Sequence, residues 1–295
     1  MIAGSTAGAP VSVRDLIALT KPRLSGLVVI TCGGAMMLAP GPSQPLRSWL
    51  GIIATSLVVG GANALNCHLE RDLDRQMLRT RTRPLPAGRL DPRMGLIVGL
   101  ALAAISLPLL AIVTNALTTA LAAAALALYV LVYTPMKQRS PIALWVGGVP
   151  GAIPPLMGWT AVRGRIELPG LVLFAILFCW QIPHFIAIAI YGKEDYARAG
   201  HKILPLVVGP VAVKLHAAAW AAMLIPFTLM LAPLGLVRAW YFPVAAILGA
   251  VFLGWTLSGF AKHGDEADRI WARSTFRMSL VYLTALFVAI GASAR

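Results

Sequence analysis

Apolar residues in this chain come in long runs. They do not alternate as in a half-buried strand, and they do not trace the narrow stripe of a surface helix. Nine runs reach or approach the roughly 20 residues that a bilayer core demands of a helix. They lie at about 24–40, 49–69, 94–113, 116–134, 142–161, 168–190, 210–232, 236–258 and 273–293. The pattern predicts an all-α polytopic membrane protein built as one bundle. The fifth run, IALWVGGVPGAIPPLMGWTA, is rich in Gly and Pro, so a kinked or broken helix is expected there, with neighbours or a cavity satisfying the freed backbone groups. Trp49, Trp145, Trp159, Trp240 and Tyr241 fall near run ends, where interfacial aromatic belts form. Ahead of the first run, Ser12-Val13-Arg14-Asp15 followed by LIAL predicts a short capped helix lying at the interface. Residues 1–23 thus read as a cytoplasmic segment and 24–293 as a single transmembrane domain. Pro22 suits a helix start, and Lys21 and Arg23 are placed to snorkel to head groups.

Composition agrees. Hydrophobic residues make up 58% of the 295 and charged residues 12%, about half the charge of a soluble domain. The net charge of +14 raises nucleic acid as a partner, but its distribution excludes that reading. The N-terminus and the loops after the second, fourth, sixth and eighth runs carry 20 of the 25 Lys and Arg; Arg47, Arg163, Arg165, Arg238 and Arg295 are the other five. By the positive-inside rule the N-terminus is cytoplasmic and the C-terminus outside. All the acids but Glu167 share the cytoplasmic side. Cys32, Cys67 and Cys179 sit in or beside apolar runs without a CxxC or CxxCH pattern, which predicts no disulfide, zinc site or covalent haem. Met1 to Val13 has no basic cluster before an apolar run and does not read as a cleaved signal peptide.

The densest chemistry follows the second run, in NALNCHLERDLDRQMLRTRTRPLPAGR from Asn63 to Arg89. Asn66, Glu70 and Asp74 are spaced i, i+4, i+8. On a helix that spacing draws three side-chain oxygens into one stripe about 12 Å long. Such a stripe suits a hard cation such as Mg²⁺, with the rest of its shell taken from water and substrate phosphate. Arg79 and Arg83, further on, are placed to meet phosphate oxygens with forked hydrogen bonds. The bland alternative is a solvated loop whose charges only set topology.

A second constellation lies in and after the sixth run: Trp180-Gln181-Ile182-Pro183-His184-Phe185, then Tyr191-Gly192-Lys193-Glu194-Asp195-Tyr196. His184, Tyr191 and Asp195 fall near one face if the helix continues. Ionisable groups at membrane depth are functional by default, so His184 either shapes a pocket or touches substrate. The two clusters are four runs apart, which hints at two four-helix halves around one pocket with a ninth helix added. Lys137 and Arg139, in a short loop between them, can reach the same mouth. His68 reads as an edge residue. The mixed charges of Lys262 to Arg269 show no stripe and read as solvated.

The spacing Asn66-x₃-Glu70-x₃-Asp74 after the second span, with an acidic site after the sixth, resembles the UbiA-type intramembrane prenyltransferases. LTKPR at 19–23, DRQMLRTRTRPLP at 74–86, YTPMKQRSP at 133–141, GGVPGAIPPLMGW at 147–159, WQIPHF at 180–185 and KEDY at 193–196 are similar to the branch of that family that farnesylates haem. Three positions depart from its pattern: Glu70 stands for an Asp, Ala143 for an Asn and Ser140 for a Thr. The resemblance implies nine transmembrane helices around a central cavity open to the cytoplasmic face of the inner membrane. It implies farnesyl transfer from farnesyl diphosphate to a vinyl group of protohaem IX, giving haem O. Asn66, Glu70, Asp74 and Asp195 would be the catalytic set, holding Mg²⁺ through the diphosphate. Arg79, Arg83, Lys137, Arg139, His184, Tyr191, Lys193 and Tyr196 would bind substrate. The bilayer, and other haem-modifying or oxidase-assembly membrane proteins, are the implied partners.

Three other readings compete. One is a related prenyltransferase with an aromatic or quinone acceptor. A secondary transporter would put its ionisable residues at mid-membrane in broken helices, whereas nearly all the acids here lie at cytoplasmic helix ends. A non-catalytic haem-binding subunit would not need two acidic clusters ringed by Arg and Lys.

Overall fold

The computed structural model describes residues 12–42 and 44–295. Residues 1–11, on which the leader reading rests, and the Arg23 side chain lie outside that description. The long apolar runs become helices, as they must where no water is available to satisfy a free backbone. The elements are α1 Val13–Leu19, α2 Pro22–Leu38, α3 Pro45–Asp74, α4 Pro92–Val113 and α5 Ala116–Ala127, which passes through a π-helical turn, Leu128–Tyr133, into α6 Thr134–Met136. Then come α7 Ala143–Arg163, α8 Leu168–Tyr191, α9 Lys193–Arg198, α10 Leu204–Val207, α11 Pro210–Leu229, α12 Tyr241–Leu257 and α13 Asp265–Ser293. Among the described residues the β-structure is one isolated bridge, Val237 to Ala294.

Among the described residues, seven helical stretches are long and apolar enough to cross a membrane: α3, α4, α5 through α6, α8, α11, α12 with the 3₁₀ turn after it, and α13. The protein is therefore a multi-pass membrane protein. The other two expected spans are occupied by α2, at 17 residues, and by the Gly- and Pro-rich α7.

Neighbours in the chain pack as neighbours in space. α2 lies on α3 and α7, α3 along α4, α4 on α5, and α5 on α7. α7 meets α8, which packs with α11 and α13, while α12 bridges those two. Small residues set the closest approaches. A Cβ on Gly158 of α7 would lie 2.1 Å from the Cys32 carbonyl oxygen of α2. The largest core cluster is built from Trp159, Trp180, Tyr241, Phe252 and Tyr282, with the last two rings stacked at 4.9 Å.

Several expectations need correction. α7 is not broken; it runs helical through Pro150, Pro154 and Pro155, buried among α2, α5 and α8. Trp159 and Tyr241 are not belt residues. Both are buried, with Trp159 Nε1 donating to Glu167 at 2.8 Å and the Tyr241 hydroxyl to the Thr228 carbonyl at 3.1 Å. A ring whose polar tip finds a partner packs as core. Trp49 and Trp240 remain exposed. Ser12 makes no side-chain cap for α1. The stretch read as a solvated loop is exposed from Lys262 to Glu266, but from Asp265 it is the start of α13, where Asp268 is buried against Lys214 at 2.6 Å and Arg269 pairs with Glu194. Cys32, Cys67 and Cys179 are free and buried.

Candidate active site

Asn66, Glu70 and Asp74 occupy the last turns of α3 and are buried together, 1%, 6% and 1% exposed. Each side-chain oxygen meets a cation from a different part of the chain. Lys21 Nζ donates to Asn66 Oδ1 at 2.7 Å, Lys137 Nζ to Glu70 at 2.6 Å and Arg83 to Asp74 at 2.8 Å. The Asn66 amide is oriented by its other end: its Nδ2 donates to Thr134 Oγ1, which itself donates to the Tyr129 carbonyl. The acceptor oxygen therefore faces the cations.

The π-helical turn aims Tyr129 and Tyr133 inward; such turns occur frequently at functional sites. The Lys137 ammonium sits over the Tyr133 ring at 4.5 Å. Burial disfavours that ammonium, yet Tyr133 and Glu70 outweigh it and leave its pKa above the ordinary lysine value. Lys21 has no carboxylate within ion-pair distance among the described residues, and burial lowers its pKa.

These groups line a cavity of about 290 Å³ together with Arg79, Tyr196, His201 and Lys202. A second cavity, about 310 Å³ and mostly apolar, is lined by Val58, Ala122, Leu126, Pro154, Met157, Trp180 and Gln181 among others. The two share Tyr129, Tyr133, His184 and Phe185. His184 stands at that junction, sandwiched at 4.7 Å from Trp180 and 4.8 Å from Phe276, with Nδ1 2.7 Å from Ser279 Oγ. Ser279 Oγ donates to the Phe276 carbonyl, so it accepts from His184 Nδ1–H and leaves Nε2 without the proton.

The loop after α3 closes one side by consecutive turns. Thr80 Oγ1 donates to the Asp74 carbonyl, and Arg89 forks onto Asp15 of α1. Asp195 of α9 accepts from the backbone amides of Leu78 and Arg79, at 3.2 and 3.4 Å, and pairs with Arg198. Partial burial opposes the charge, but those amides and Arg198 hold its pKa below the usual aspartate range. The second acidic cluster thus docks on the loop that follows the first.

The sequence-predicted residues divide accordingly. Asn66, Glu70, Asp74, Arg79, Arg83, Lys137, His184 and Tyr196 come together on the cavity wall. Asp195 faces the loop amides, Tyr191 packs edge-on to Phe276 at 5.8 Å, and Arg139 and Lys193 lie off the wall. Sequence reasoning missed Lys21, Tyr129, Tyr133, Thr134 and His201. TKPR and YTPMKQRSP held Lys21, Tyr133 and Thr134 in plain sight, but a lysine before a helix start reads equally well as a lipid anchor, and Tyr129 sits unmarked in an apolar run. Nothing local marks His201, whose Nδ1 is buried without a partner.

Each of the three α3 oxygens is met by a cationic side chain in this structure. Among the described residues no three His, Cys, Asp or Glu side chains converge on one point. A cation here would draw on one amide and two carboxylate oxygens and complete its shell from a ligand.

A helical bundle whose buried carboxylates and cations adjoin an apolar chamber suits an intramembrane enzyme. The chain belongs to the UbiA prenyltransferase family, whose model matches residues 27–281, and it is a prenyltransferase. It is 52% identical to a protoheme IX farnesyltransferase of Anaeromyxobacter sp. (strain Fw109-5), over 96% of this chain and 94% of that protein. It is 50% identical to one of Myxococcus xanthus, over 95% of each. Its fold matches a structure concerned with digeranylgeranylglyceryl phosphate synthase, with a TM-score of 0.78 at 18% identity over 94% of this chain and 98% of the other. It also matches a UbiA homologue of Archaeoglobus fulgidus bound to GPP and Mg²⁺, with a TM-score of 0.69 at 16% identity over 94% and 99%.

Proposed function

We propose that this protein transfers the farnesyl group of farnesyl diphosphate to a vinyl group of protohaem IX, with water supplying a hydroxyl, to give haem O. The relatives are named protoheme IX farnesyltransferase, which supports farnesyl transfer to haem. The observation that carries the reading is the pair of joined cavities, one cationic and one apolar, meeting at Tyr129, Tyr133, His184 and Phe185. A diphosphate head suits the first and an isoprenoid tail and macrocycle suit the second.

Ionising an allylic diphosphate separates an allyl cation from pyrophosphate. Arg79, Arg83 and Lys137 stabilise the leaving charge with preorganised donors, and Tyr196 steadies Arg79 through its hydroxyl. Asn66, Glu70 and Asp74 would hold Mg²⁺, and Asp195, bonded to the Leu78 and Arg79 amides, would position the loop that carries Arg79. A divalent cation bound there supplies neutralisation of the pyrophosphate charge. The aromatic and aliphatic wall keeps stray water from the allyl cation. His184, with a free Nε2, meets the acceptor. Arg139, Tyr191 and Lys193 act at the mouth.

The charge bias supports a cytoplasmic N-terminus, a C-terminus outside and a cavity opening to the cytoplasmic face of the inner membrane. Residues 13–23 then form an interfacial segment ahead of one transmembrane domain; Val13 and Ile17 of α1 are exposed while Leu19 is buried against α3.

Membranes carrying the protein, given farnesyl diphosphate, Mg²⁺ and protohaem, should yield farnesylated haem by mass spectrometry and no prenylated 4-hydroxybenzoate. The reverse outcome would assign an aromatic acceptor.

A further inference from the structure

Three cations bond the side-chain oxygens of the α3 stripe, and Lys21 differs from the other two. Glu70 and Asp74 are each closed by an opposite charge, whereas the Lys21 ammonium meets only the neutral oxygen of Asn66, at 2.7 Å. It is also the one non-glycine among the described residues with a left-handed backbone, at φ 49°. The following Pro22 disfavours the right-handed helical region for Lys21, and a left-handed conformation strains an L-residue. The surroundings hold it there. Lys21 N donates to the Ala18 carbonyl, Ser25 N and Oγ both donate to the Lys21 carbonyl, and Asn63 of α3 donates to the Thr20 carbonyl. Strain that neighbours over-determine is a mark of a position kept for function. A partly buried cation without a counter-ion is costly, and an anionic ligand removes that cost.

We propose that Lys21 is a phosphate ligand: its ammonium, parked on Asn66 and aimed by the strained turn, transfers to the oxygens of the incoming prenyl diphosphate and leaves Asn66 Oδ1 open. This rests on the diphosphate half of the proposed function and is independent of the acceptor. The other anion of the reaction, the carboxylate of protohaem, is separated from it by the test.

Full-length protein in detergent is titrated with inorganic pyrophosphate and Mg²⁺ by calorimetry, and separately with protohaem by absorbance. Lys21→Met and Lys21→Gly both remove the ammonium, and the glycine also accepts the left-handed turn. Both should weaken pyrophosphate binding by on the order of tenfold or more, the worth of a charge-assisted hydrogen bond, and leave protohaem binding unchanged. Lys21→Arg should recover part of the loss. Wild-type-like pyrophosphate binding in both variants overturns the proposal, as does loss of protohaem binding alone. Should both variants fail to fold, reductive methylation of the wild type decides. Pyrophosphate with Mg²⁺ should protect Lys21 from modification, and unchanged labelling overturns the assignment. If protohaem is never farnesylated yet pyrophosphate binding depends on Lys21, the acceptor reading falls and this one stands.

Discussion

Lys137 and Glu70, 67 residues apart in the chain, meet at 2.6 Å with the Glu70 side chain 8% and the Lys137 side chain 20% exposed. Their pairing ties the end of α3 to the loop after α6 and holds both charges on the cavity wall. Lys137→Met leaves Glu70 buried without its partner. After discounting for the partial exposure, it should cost on the order of 2–3 kcal/mol. Thermal unfolding in detergent reads this. Adding Glu70→Gln should restore part of the stability, and a double variant that is the plain sum of the singles would show that the pair is not coupled.

Asp74 is more buried than Glu70 and is held by Arg83 at 2.8 Å. Asp74→Ala should lower farnesyl transfer by roughly 10²–10³, the range for losing one preorganised electrostatic group. Initial rates over a Mg²⁺ series measure it. Full Mg²⁺-dependent activity in this variant would remove the α3 stripe from the chemistry.

His201 lies 4% exposed against the cavity, its Nδ1 unpartnered. Burial and the nearby Lys137 ammonium lower its pKa. The unfolded chain therefore binds the proton more readily, and stability should fall as pH drops below the unfolded value of about 6.5. The loss levels off once pH is below the folded pKa, and stability above pH 7 is unaffected. His201→Gln should flatten this part of the melting-temperature profile, measured between pH 7.5 and 5. An unchanged slope would place the titration elsewhere.

Gly158 lets α7 approach α2 so closely that a methyl would meet the Cys32 carbonyl oxygen at 2.1 Å. The backbone on both sides must move to accept it. Gly158→Ala should destabilise by about 1–3 kcal/mol, the usual range for overpacking. Gly26→Ala, whose Cβ meets nothing within 4 Å, is the control for thermal unfolding.

Much of this molecule is written locally. Bilayer thickness sets a length for every apolar run, so helix positions follow from counting, and four-residue spacing alone puts Asn66, Glu70 and Asp74 on one stripe. Whether a polar tip is solvated or buried depends instead on what packs above it, which spacing does not record. Asp268 and Trp159 were misread for that reason: their partners are Lys214, 54 residues away, and Glu167, beyond a chain reversal.

The sequence by itself determined the class of fold, the membrane, and the stripe of two acids and an amide on α3. Those depend on composition and on helical periodicity, which any segment carries alone. Only the tertiary structure decided which cation closes which oxygen, that Asp195 turns to the Leu78 and Arg79 amides, and that Lys21 is drawn to Asn66. Such pairings join residues 9 to 117 positions apart, and a chain that must bury its charges chooses partners by where its helices bring them, not by how far apart they are along the chain.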